Sequence, residues 1–229
     1  MYRKFLNARS PLRLLEKGLR GGLGAGNLGV VLAGHGVGKT SFLVGVALDD
    51  LLRSQRVLHV ALDQTVAHVR AFYDTIFEEL AGATQLQDSA ATHKEVDHLR
   101  SIRTYRQGEL TAAKLREAVA LDAQAGGKPV LIVIDGLEAS ALERDELAKI
   151  QSLAGELEAE VWISVACPGE KVVALPEPLS RSADLISVIL ALEPGRESVR
   201  LRALKEHENP DVEALHVALD PRTLLLIRS

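Results

Sequence analysis

Apolar positions along the chain recur in two registers, and the switches between them mark out the elements. Residues 28–32 (Leu-Gly-Val-Val-Leu), 58–62 (Leu-His-Val-Ala-Leu) and 130–134 (Val-Leu-Ile-Val-Ile) are apolar runs of strand length. The last is rich in β-branched side chains, as a strand buried on both faces should be. After the first run the spacing turns helical, from Phe42 to Leu52. After the second it does so again, at Val66, Val69, Phe72, Ile76 and Leu80. Thr65 stands where an N-cap is needed. Thr111 opens a further helix with Leu115, Val119 and Leu121 inward, and Gly126-Gly127 stop it. The stretch 82–100 is polar, with a short helix expected over 93–99, and 102–105 is a candidate strand. A helix over 142–157 and a strand over 161–165 complete the alternation, which predicts a parallel sheet covered by helices.

The last third has a different texture. Residues 168–183, with Pro168, Pro176 and Pro178, read as an irregular loop. Short apolar runs follow at 185–192, 199–204, 215–219 and 223–227. Turns at 193–195 and 220–222 pair them into two antiparallel hairpins. One continuous sheet is expected to join both halves. The fold class is therefore α/β, three-layer αβα, with a mostly parallel central sheet extended by C-terminal antiparallel hairpins. Residues 1–20 form a basic helical segment ahead of a core domain over 21–229. The segment carries Arg3, Lys4, Arg9, Arg13, Lys17 and Arg20 against Glu16, and apolar Leu12, Leu14, Leu15 and Leu19. Packing on the edge of the core is its expected role, with contact to a neighbouring subunit as the alternative.

Bulk properties narrow the classes. A net charge of −4 forces no nucleic-acid partner. The single cysteine, Cys167, excludes an internal disulfide and fits a reducing compartment. Membrane-length apolar runs and the pattern of a signal peptide are both missing, so the expected location is cytoplasmic with no membrane span.

Candidate chemistry concentrates after the first strand. Ala33-Gly34-His35-Gly36-Val37-Gly38-Lys39-Thr40-Ser41 fits the phosphate-binding loop G-x-x-x-x-G-K-[ST], with Ala33 in the first glycine position. The strand before it and the helix after it are the context such a loop needs. Glycines bring backbone N–H groups onto one anion, and the helix N-terminus adds partial positive charge. Gly34 to Ser41 are thus candidate nucleotide contacts. Lys39 is the candidate for the β- and γ-phosphates, and the Thr40 hydroxyl for Mg²⁺. Asp135, directly after the apolar run 130–134, is the candidate second Mg²⁺ ligand, in the manner of a Walker B strand.

Taken together, Gly21-Gly22-Leu23-Gly24-Ala25-Gly26-Asn27 through Thr40, the strand ending at Asp63-Gln64, the strand ending at Asp135, and Leu179 to Asp184 resemble RecA-like ATPases of the KaiC/RadA/DnaB kind. The resemblance spans about residues 18–228. It implies a RecA-type core that binds ATP with Mg²⁺ between subunits of a homo-oligomer or ring. It also implies a catalytic glutamate where this chain has Asp63-Gln64. Asp63 is the candidate water-activating group, one methylene shorter than glutamate, and Gln64 cannot take a proton. The family's polar sensor, often Gln, has no counterpart at Ala166-Cys167, although Ser164 lies nearby in the strand. The family's trans-acting Lys-x-Arg is Lys205-Glu206-His207 here, and Arg181 and Arg202 are further trans candidates. A neutral imidazole lacks the fixed fork of a guanidinium.

These departures point to a Mg-ATP-binding ATPase with slow hydrolysis, in a regulatory or assembly role with an unidentified protein partner. A non-hydrolysing scaffold is one alternative. A DNA-dependent recombinase or helicase motor is another. It is less favoured because the loop 168–181 sets Lys171 and Arg181 against Glu170 and Glu177 and has no aromatic residue. The histidines other than His207, among them His93 and His98, match no metal-ligand spacing.

Overall fold

The computed structural model describes residues 6, 8, 10–141, 143–169, 172, 175–177, 179–209, 212 and 214–229. Arg3, Lys4, Arg9, Leu142, Glu170, Lys171 and Pro178 lie outside them. The strands are β1 (Leu28–Ala33), β2 (Val57–Leu62), β3 (Arg100–Tyr105), β4 (Leu131–Leu137), β5 (Glu160–Ala166), β6 (Val188–Pro194), β7 (Val199–Glu206), β8 (Val217–Leu219) and β9 (Leu226–Arg228). The helices are α1 (Leu12–Gly18), α2 (Lys39–Leu51), α3 (Val66–Thr84), α4 (Ser89–Leu99), α5 (Ala112–Ala125) and α6 (Arg144–Leu157). Short 3₁₀ turns cover Ala139–Ala141 and Leu179–Leu185.

All nine strands join one sheet in the order β3-β2-β4-β5-β1-β6-β7-β8-β9. The six from β3 to β6 in that order run parallel, and β7, β8 and β9 continue antiparallel. The protein is therefore α/β, with a mixed, mostly parallel sheet ending in hairpins.

Alternate residues of the central strands feed two cores. On one face Val31, Ala61 and Val133 meet α2, α3 and α4, and on the other Val30, Ile132 and Ile163 meet α5 and α6. Phe42 of α2 packs edge-on against Trp162 of β5, with ring centroids 5.6 Å apart. Helix α1 belongs to the same core, since Leu12, Leu15 and Leu19 are buried. A Cβ on Gly18 would lie 3.1 Å from Leu215, so α1 rests on the chain leading into β8. Among the described residues no helix is long and apolar enough to cross a membrane.

Several boundaries shift from the sequence expectation. Val66 is 48% exposed and Leu121 49% exposed. Tyr73 and Phe77 replace Val66 on the inner face of α3, and Ala118 and Asp122 replace Leu121 in α5. The helical repeat from the other buried positions of α5 carries Leu121 to the outside, whereas Val66 is in line with Val69 and Tyr73 but stands exposed as the first residue of α3. Helix α4 starts four residues before the expected His93, at Ser89. Strand β4 does not end at the acid but continues to Leu137, with a register shift after Ile134. Residues 185–187 precede the first hairpin instead of opening it, and its turn is closed by Gly195 N donating to Ser198 O. The last hairpin turns more slowly than expected: Leu224 N donates to Asp220 O, and β9 begins only at Leu226.

Candidate functional site

Strand order brings the C-terminal ends of β1, β2, β4 and β5 to one edge, where side chains distant in sequence meet. From β1 the chain passes through residues 34–38 into α2. Gly36 and Gly38 hold φ of +73° and +112°, conformations that strain other L-residues. Gly34 faces a neighbouring backbone so closely that a Cβ there would lie 2.6 Å from the Gly169 carbonyl oxygen. Helix α2 then begins without a side-chain cap. Its first-turn N–H groups have no intrahelical acceptor, the arrangement that suits an anion. His35 and Gly36 are exposed, Val37 to Thr40 half-buried, and Ser41 buried.

Lys39 folds back over this loop. Its Nζ donates to the carbonyl oxygens of Ala33 at 3.1 Å and Gly34 at 2.8 Å. Burial pulls the ammonium pKa below its usual value, against the opposing pull of Asp135 and then Cys167. Burial likewise pushes the Cys167 thiol up.

Asp135 is 1% exposed and tied down on both oxygens. Its Oδ2 accepts from Thr40 Oγ1 at 2.7 Å, joining α2 to β4 across the sheet edge. The same oxygen receives Gln64 Nε2 at 3.4 Å. Its Oδ1 accepts from Ser164 Oγ at 2.5 Å, and Ser164 Oγ in turn accepts from Gly136 N at 2.8 Å. The hydroxyl and carboxylate oxygens of Thr40 and Asp135 are the hard donors that Mg²⁺ takes.

The two residues after β2 diverge. Asp63 sits at φ +52°, and its Oδ1 accepts from Gln107 N at 3.2 Å. Gln107 extends the tie: its Nε2 donates to Gly136 O at 2.5 Å, and its Oε1 accepts from Glu138 N at 3.4 Å. Asp63 thus holds the β3–α5 connection, while Gln64 faces Asp135. Thr65, not Asp63, caps α3, accepting from His68 N at 3.1 Å.

The four trans candidates make polar contacts elsewhere, Arg202 with Glu193. Lys205 Nζ donates to Ala183 O at 2.7 Å, the His207 ring meets Gly22 O at 3.1 Å, and exposed Arg181 pairs with Glu177. His93 does gather carboxylates, Asp74 and Asp97, but Arg70 and Arg100 also pair with Asp97. Sequence reasoning left two participants unassigned. A hydroxyl inside an otherwise apolar strand was the signal for Ser164. Gln107, in a loop, gave none.

No protein-family model matches the chain, and a search of curated proteins found no significant match.

Proposed function

We propose that the protein binds Mg-ATP at the Gly34–Ser41 loop in a RecA-like core, hydrolysing it slowly in a regulatory or assembly role. The observation that carries this is the 2.7 Å bond from Thr40 to Asp135, placed beside an uncapped helix start and a half-buried lysine. The loop N–H groups and Lys39 would hold the phosphates. Thr40 and Asp135 would hold Mg²⁺, directly or through water. The ion would neutralise charge on the phosphate oxygens. Ser164 and Gln64 hold the Asp135 carboxylate in its orientation at the sheet edge.

The strand order is compatible with the RecA-like reading, which brings with it a site completed at the interface of a homo-oligomer. Lys205, His207, Arg181 and Arg202 remain the candidates for reaching a neighbour's nucleotide. Titration calorimetry with Mg-ATP tests the reading. Wild type is expected to bind, and Lys39→Ala to bind at least about tenfold more weakly, the loss of one charge-assisted bond of roughly 1.5–3 kcal/mol. Equal affinity in the two proteins would remove the loop from the site.

A further inference from the structure

We propose that Gln64, and not Asp63, is the residue that positions the attacking water, and that its amide is what makes turnover slow. This rests on the Mg-ATP reading above. Three observations carry it. First, the left-handed conformation of Asp63 turns the chain so that successive side chains part company. Second, the Asp63 carboxylate is engaged by Gln107 N, whereas Gln64 Nε2 reaches the same Asp135 oxygen that accepts from Thr40. Third, the backbone beside that amide is fixed. Gly136, next to Asp135, holds φ +86°, a conformation that strains other L-residues, and the Gln64 amide lies within ordinary contact distance of it. Gln107 pins that glycine by its carbonyl, and Thr65 caps α3 immediately after Gln64.

An amide can accept a hydrogen bond from a water and donate another, but it cannot take the proton. In the step assigned here the water oxygen bonds to the γ-phosphorus. The bond from that phosphorus to the β–γ bridging oxygen breaks, and its electron pair leaves on ADP. A water proton passes to an oxygen of the departing phosphate. Gln64 holds the water in line and carries no charge through the step. A carboxylate at the same place would add general-base catalysis, which typically contributes about 10²–10⁴-fold.

The test is steady-state ATP hydrolysis by full-length wild type, Gln64→Glu, Gln64→Ala and Asp63→Asn, with Mg-ATP affinity and melting temperature measured on each. Gln64→Glu is expected to raise kcat by about tenfold or more, with affinity within about threefold, and to add an ascending limb to the pH–rate profile. Gln64→Ala is expected to lower kcat at similar affinity. Folded Gln64 variants that bind Mg-ATP normally and leave kcat unmoved would overturn the assignment. So would Asp63→Asn alone abolishing turnover at unchanged affinity and melting temperature. Failure of wild type to bind Mg-ATP is a different result: it overturns the nucleotide reading, and this assignment with it.

Discussion

Helix α2 has two unlike ends, and the contrast separates what its sequence does for a ligand from what it does for the fold. At the N-terminal end the positive pole of the helix is left without a cap, behind a loop of small residues and beside Lys39. At the C-terminal end stand Asp49 and Asp50, two acids where the negative pole disfavours them. There the chain supplies its own counter-charge. Arg13 of α1 and Arg53 both pair with Asp49, and Arg13 and Arg53 also reach Glu16. One end is left without a side-chain cap, and the other is closed by the N-terminal segment. Arg13 of that segment therefore serves the fold first.

The largest effect expected from breaking this contrast is at the closed end. Asp49 is 7% exposed, so Arg13→Ala leaves a buried carboxylate with Arg53 as its remaining cation. The expected cost is about 2 kcal/mol in urea unfolding at pH 8, since stranding a buried charged group costs roughly 1–3 kcal/mol or more. Adding Asp49→Asn should recover most of it, and the double-mutant cycle measures the coupling. An Arg13→Ala protein as stable as wild type would show that α1 is held by its leucines alone.

A second effect at the same end is pH-dependent. Burial, then Glu160 and Asp49, push the Asp50 carboxyl up to about 7 from 3.8. A carboxyl whose folded pKa is raised favours the folded state when protonated. Stability from this group therefore falls as pH rises from about 4 to about 7, and is level above that. Asp50→Asn removes the penalty. It should leave unfolding free energy near wild type at pH 4 and raise it at pH 8, where each tenfold change in acid strength is worth about 1.4 kcal/mol. Matching wild-type and variant stability profiles across that range would show that Asp50 does not titrate in it.

The open end was far more legible in the sequence than the closed one. Loop, lysine and threonine are consecutive, and their chemistry depends on local backbone, so residues 33–41 carried their own context. Asp135 was readable because a long apolar run has one polar end. The ties that fix it were not, because they depend on strand order. Ser164 reaches Asp135 only because β5 lies beside β4, and Gln107 reaches Gly136 only because β3 and β4 flank β2, so that the connection after β3 reaches past the end of β2 to β4. The Arg13–Asp49 pair joins residues whose charges were visible and whose adjacency was not. Leu121 was misassigned because an apolar residue one position off a helical stripe looks no different in sequence from one on it, and Val66 because it is on the stripe of α3 but stands exposed at the helix's first position.

The smallest expected effect tests whether an ordinary helix start behaves unlike that of α2. Thr111 caps α5, its Oγ1 accepting from Lys114 N at 3.2 Å. Removing it in Thr111→Ala should cost about 1 kcal/mol, the usual worth of an N-cap. The shift in melting temperature produced by saturating Mg-ATP should nevertheless match wild type, because a ligand that binds only the folded state adds its free energy independently of a distant cap. If the variant loses the ligand-induced shift along with the cap, then α5 and the loop holding Gln107 are coupled to the N-terminal end of α2. The start of α2 would then owe its behaviour to the whole sheet edge, not to the bare backbone of its first turn.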